Sequence, residues 1–407
     1  MLLSLNSFWR ATTVLPFLLA ASASYFWTGC EVGASSEPAD TPSATSPRFE
    51  RDGIIPLDGQ FLMPVQLDGS TETYNFVIDT GAFATSVEET LVRDIENGVG
   101  LVSMDFGEGL LLEDHRVFAA DLSKAVDYIG TPIHGLIGQD IFQEWFFGLD
   151  YETASMEVLP EIPLDAPSGF EEDSFVDLPY TLEQLLPIVE VEIDGRVARL
   201  IADTGSGVTL LTESFIEQEF LDEGLKGYTW HTSYGSDPGT ILRLPQLTLA
   251  GHLVENSWAV VVPDNYHLRD VFEALGIHVD GFLGYPVYRR FYTEVRGPEN
   301  QYRFYPYDDL PHVDANEWDR VGIEIRRHEG QVVIDMIFEP SHAHELGLQA
   351  ETVLLRVDGE QLAGLALDDV RLLLRGTPGK TRTLTIDDSS GGIKEISVRV
   401  DGLLPPI

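Results

Sequence analysis

Phe76-Val77-Ile78-Asp79-Thr80-Gly81 and Leu200-Ile201-Ala202-Asp203-Thr204-Gly205 decide how this chain is read. Each is an apolar strand that runs into Asp-Thr-Gly. Upstream of each lie an apolar-Pro segment and an Asp-Gly turn: Met63-Pro64-Val65 with Asp68-Gly69, and Leu186-Pro187-Ile188 with Asp194-Gly195. Downstream of each lies an apolar-apolar-Gly run, Leu136-Ile137-Gly138 and Phe282-Leu283-Gly284. A lone Asp-Thr-Gly arises by chance in roughly one chain of this length in ten. Two copies with matching flanks are a duplication.

The residue types suit a paired acid/base site. Two carboxyls about 3 Å apart cannot both ionise, so they share one proton. One then takes a proton from water while the other protonates a carbonyl oxygen. An aspartate at a strand end needs a sharp turn, which a glycine two residues on permits, and a threonine hydroxyl can lock the loop.

With these motifs, residues 53–310 resemble the retropepsin-like aspartic proteases in a tandem form. The resemblance implies a mainly β fold: two β-barrel repeats, 53–166 and 167–310, forming a pseudo-dimeric, pepsin-like core. It implies catalysis by Asp79 and Asp203, with Thr80, Gly81, Thr204, Gly205 and Ser206 supporting the loops. The expected activity is endopeptidase action on protein or peptide substrates by a monomeric catalytic unit, without cofactor or metal. Two alternatives stay open. One is a non-catalytic peptide-binding protein on the same scaffold. The other is a protease whose repeats pair between chains.

The repeats differ in length: 59 residues separate Asp79 from Gly138, and 81 separate Asp203 from Gly284. The surplus is expected around Thr229–Gly239 and Asp264–Gly276. The first piece resembles the family's flap, with Tyr234-Gly235 at its tip. Ser103–Leu112 is expected as a shorter counterpart in the first repeat. Helical signals follow each loop, at Ser86–Glu89 before Leu91–Ile95 and after Thr212. Ser206, where the first loop has Ala82, is expected to hydrogen-bond Asp203 and make it the more readily ionised carboxyl.

The ends carry different signals. Residues 1–29 read as a signal peptide, with Arg10, a short apolar core and Trp27-Thr28-Gly29 before Cys30, the only cysteine. This resembles a bacterial lipoprotein signal and implies lipidation at Cys30. The corresponding location is the periplasmic side of the cell envelope, at the outer membrane rather than the inner; ordinary secretion is the rival. Residues 30–52, rich in Ser, Thr, Pro, Ala and Glu, read as a flexible tether. Residues 311–407 resemble a bacterial PDZ domain, a small α+β fold, through Glu345–Leu348, Val353–Gly359, Asp368–Arg375 and Gly376-Thr377-Pro378-Gly379. That implies an extended peptide added beside Ile323 and Ile325, Gly322 in a carboxylate loop, and Val370 and Leu374 across the groove. A groove filled by the protein's own chain is the other reading.

With 25 basic against 67 acidic side chains, the net charge is −42. This argues against nucleic acid as a partner, and against anionic membranes except through a lipid anchor. The acid is spread over all three regions and would favour neutral or basic substrates. His342 and His344 lack the spacing of a zinc site, and His134 reads as a strand-end hydrogen-bonding residue.

Overall fold

The computed structural model describes residues 49–404 except 54, 56–58, 108, 124, 160, 162–164, 233–234, 245, 309–316 and 389–391. The leader, Cys30, most of the tether and Tyr234 lie outside the described residues. The protein is mainly β.

Each half is built by the same pairing rules. In the first, Thr73–Ile78 pairs in parallel with Gly135–Ile137, which pairs antiparallel with Ser86–Glu88; that strand in turn pairs in parallel with Leu110–Ala120. In the second, Arg196–Ala202, Gly281–Leu283, Leu210–Thr212 and Trp258–Val262 repeat the set. The apolar-Gly runs are therefore the strands on which the Asp-Thr-Gly strands lean. Their glycines are forced by packing. A Cβ on Gly138 would lie 2.3 Å from the Ala84 carbonyl carbon, and one on Gly284 2.0 Å from the Val208 oxygen.

A six-stranded sheet joins the halves, with Phe146–Asp150 paired antiparallel to Phe291–Arg296 at its centre. Phe49–Asp52 and Ser155–Leu159 extend it on one side, and Gln301–Pro306 and Val176–Pro179 on the other. Phe142, Phe147, Leu149, Tyr288, Val295, Tyr302 and Phe304 are buried where it meets the halves, in one cluster continuous across both. At about 25 cal/mol per Å² of apolar surface, such a shared core makes the halves one cooperative body.

The helical signal after the first loop fails. Ser86–Glu88 is a strand and Glu89–Leu91 one 3-10 turn, followed by strand Arg93–Glu96. The capping pattern lost to pairing with Phe118–Ala120. After Thr212 a 3-10 turn leads into a short helix, Gln218–Glu223.

The flap-like hairpin comprises Leu225–Thr232 and Gly235–Arg243. Its counterpart in the first half is not Ser103–Leu112. The strand before the long parallel-paired one is Val99–Gly107, whose hairpin partner is Arg93–Glu96, closed by Asn97-Gly98 with φ of 54° and 78°. Those angles define a tight primed turn, so the first half has only a stub where the second has a long arm. The hairpin Leu247–Leu249/His252–Val254 has a counterpart in the far end of Val99–Gly107 and Leu110–Ala120, since Leu247 pairs with Ile193 as Met104 pairs with Leu67, so the surplus lies in the arm and before Gly281.

The C-terminal module is a separate sheet, ordered Ile323–His328, Gln331–Ile337, Val353–Val357, Thr381–Asp388, Gly392–Arg399, with helix Leu367–Leu373 against the first strand. Its core comprises Val321, Ile323, Ile325, Leu354, Val370, Leu374 and Leu384, among others.

Candidate active site

The two Asp-Thr-Gly loops meet face to face. Thr80 Oγ1 donates to Ala202 O at 2.7 Å, and Thr204 Oγ1 donates to Ile78 O at 2.6 Å. Each hydroxyl also accepts the other loop's threonine N–H at 3.1 Å. Both threonines are buried, so all four bonds are made away from water, where a lost partner costs about 1–3 kcal/mol. This reciprocal lock places Gly81 beside the opposite aspartate. A Cβ there would lie 2.4 Å from the Asp203 carboxyl carbon, and one on Gly205 2.6 Å from that of Asp79. Any residue but glycine would push the carboxyls apart.

With each glycine against the opposite carboxyl, the two acids are close enough to perturb each other's titration. Both are partly solvent-accessible. Burial, then the charge and hydrogen bond of Asp203, hold Asp79 well above the usual carboxylate range. Burial also raises Asp203, to about 6, but Asp79 and the N–H groups of Gly205, Ser206 and Gly81 hold it down. Gly205 N donates to Asp203 Oδ1 at 2.8 Å. The hydrogen bond expected from the Ser206 hydroxyl to Asp203 is not the one made. The Ser206 hydroxyl donates to Val208 O at 2.8 Å, and it is the residue's backbone N–H that serves the carboxylate.

Support behind the loops went unread in the sequence. Thr85 and Thr209 stand six residues after each aspartate, and their hydroxyls accept the N–H of Gly138 and Gly284 at 3.1 and 3.3 Å. The repeated D-T-G-x-x-x-T spacing was the available signal. Asp140 accepts from Thr85 N and Oγ1 and meets His115 Nε2 at 2.9 Å. Buried Gln139 donates to Thr80 O.

The long hairpin is pinned from two sides. Trp230 packs on Tyr266, His267 and Phe282. His267 Nε2 meets Thr232 Oγ1 at 2.7 Å, and its Nδ1 meets Asp237. Gly235, at the hairpin end, lies against the His267 ring. On the opposite strand face, His231 stacks on Tyr128 of the first half, with centroids 4.7 Å apart. The hairpin therefore bridges the halves.

The residues expected around the C-terminal groove lie on or beside the edge strand and the helix that bound it, and they are buried. Ile323, Ile325, Val370 and Leu374 are within the module core. Gly322 packs on Ser341, where a Cβ would lie 2.1 Å from the serine Cβ, and its carbonyl accepts from Phe338 N. The alternation of a one-sided sheet turns Ile323 and Ile325 inward, and Val370 and Leu374 share one face of the helix at i, i+4. His134 Nδ1 accepts from Asn75 N, as a strand-end histidine should. His342 Nδ1 accepts from Arg399 N. Among the described residues no group of three His, Cys, Asp or Glu side chains is set to hold a metal.

Residues 189–287 match the model of an aspartyl protease family, from within the strand before the second Asp-Thr-Gly to just past its glycine support. Over 79 residues the chain is 35% identical to a probable CtpA-like serine protease of Staphylococcus haemolyticus (strain JCSC1435), covering 19% of this chain and 16% of that protein. A solved photosystem II D1 C-terminal processing protease is 22% identical over 21% of this chain and 24% of its own, with a TM-score of 0.20. The chain thus spans about a sixth of the length of the curated relative. The family model and the curated relative are both described as proteases.

Proposed function

We propose that the protein is an aspartic endopeptidase in which Asp79 and Asp203 jointly activate one water. The reading rests on one observation: the two Asp-Thr-Gly loops meet in a reciprocal threonine lock that sets each glycine against the opposite carboxyl. With Asp203 ionised and Asp79 protonated, the first accepts a proton from water. The second protonates the peptide carbonyl oxygen as the tetrahedral intermediate forms. The arm Leu225–Arg243 would act as the flap. Match to the aspartyl protease model over the second half supports the reading, and the matching topology of the first half supports a tandem retropepsin-like core.

The curated relative, named a serine protease, raises a different chemistry. The hydroxyl, imidazole and carboxylate of Thr232, His267 and Asp237 do line up, but they tie the turn end of the flap arm to its neighbour. We assign them that positioning role. The C-terminal module is read as PDZ-like, and the leader with Cys30 as an export and lipidation signal placing the protein at the bacterial envelope.

Incubation with a diverse peptide mixture across pH, followed by product mapping, tests the reading. Asp79→Asn and Asp203→Asn should each lower cleavage by about 10²–10⁴-fold. Cleavage that survives both substitutions would sink it.

A further inference from the structure

The groove of the C-terminal module is occupied. Ile323–His328 is the sheet's edge strand, and the short helix Ala125–Ile129 of the first half packs against it. On the other side, Gly130 lies on helix Leu367–Leu373: a Cβ there would fall 2.8 Å from the Leu367 Cβ, at a φ of +81°. Arg371, on the same helix, donates Nη2 to the Tyr128 carbonyl at 2.8 Å. Its other nitrogens hold Glu324 and Asp368. Glu324 also takes Arg320 and the edge amide of Ile325. The groove's cations are thus satisfied by the module's own carboxylates, and the occupant supplies a main-chain carbonyl.

The same module grips the flap arm. Lys226 and Glu339 exchange both backbone hydrogen bonds, at 2.7 and 2.9 Å, and Thr229 N meets Met336 Sδ at 3.1 Å. Gly227, at φ +90°, has no room for a Cβ against Ile337 O. His231, further along the arm, rests on Tyr128 and lies 3.7 Å from Asp335. Ala125 and Ile129 keep the segment seated on a small cluster with Leu62, Val77, Leu122 and Ile133 in the first half. One module therefore fastens the flap arm of one half to the segment facing it from the other.

We infer that Ala125–Gly130 is the built-in ligand of this groove and that its docking restrains the flap arm, so that an extended peptide taking its place opens the cleft. The inference rests on the aspartic-protease reading for its rate effect, but not for the docking itself. The partner class is a peptide that lends an internal carbonyl to Arg371 and a small or absent side chain to the Leu367 contact, with no free carboxylate required.

Gly130→Ala should drive the segment from the groove, because its methyl meets Leu367 while every module residue stays unchanged. It should raise kcat/KM on a long peptide by about five-fold or more, in line with typical coupling between sites. A synthetic peptide of residues 123–131 should activate the wild-type chain saturably, and leave Gly130→Ala unchanged because its groove is already vacant. Hydrogen exchange at 125–130 should speed up in both cases. Faster exchange with unchanged or lower kcat/KM overturns the restraint. Unchanged exchange in Gly130→Ala, or no binding of labelled 123–131 peptide to that variant, overturns the docking. Loss of the catalytic reading would appear separately, as cleavage that survives Asp79→Asn while the peptide still binds.

Discussion

At the scale of single residues, the dyad sets both the pH profile and a stability cost. Asp203 is raised to about 6 in the folded chain, from 3.8. The fold therefore holds this proton more tightly than the unfolded chain does. The resulting stabilisation is complete below about 4 and lost as pH climbs through about 6. Asp203→Asn should raise the melting temperature at pH 7.5 by the equivalent of up to about 3 kcal/mol and change it little at pH 4; thermal melts at the two pH values check this. Because the proposed chemistry needs Asp203 ionised, kcat/KM should fall as pH drops through about 6. Ser206→Ala should leave that limb in place, since the hydroxyl faces Val208 O and the backbone N–H remains.

At the scale of elements, the flap arm carries the next prediction. Trp230 is buried against three rings, so Trp230→Ala should cost about 3–5 kcal/mol, spent largely on freeing the arm. KM should rise more than kcat falls, which steady-state kinetics on one peptide would show. The strands leading into Asp79 and Asp203 and their glycine supports were legible because packing forces those residue types. Val353–Val357 and Thr381–Asp388 were legible because they alternate and end at turns. The first-half flap was not, because its stub is only Arg93–Glu96 and an Asn-Gly turn, whereas the longer Ser103–Leu112 drew the eye. Ser86–Glu89 misread as helical because local capping chemistry says nothing of a parallel partner 32 residues away. The occupied groove was beyond sequence altogether: Tyr128 and Arg371 are 243 residues apart.

At the scale of the whole molecule, a buried ion pair and the net charge have separate consequences. Glu317 takes Arg289 through both carboxylate oxygens, at 2.8 and 2.7 Å, and accepts from Trp258 Nε1 at 2.9 Å, while Trp318 packs edge-on to Trp258. Glu317→Ala would strand a buried guanidinium and should destabilise the chain by about 3–5 kcal/mol in chemical denaturation. The net charge of −42 should draw cationic peptides to the cleft. Their kcat/KM advantage over neutral analogues should shrink by about ten-fold between low and high salt, as screening shortens the reach of the field. The strand pair Phe146–Asp150 and Phe291–Arg296 has a consequence of its own, because it is the sole backbone ladder between the halves among the described strands. A polypeptide severed near residue 168 would leave each fragment with one naked ribbon margin of matching register. Such fragments, made together in one cell, should seek each other out and rebuild the whole.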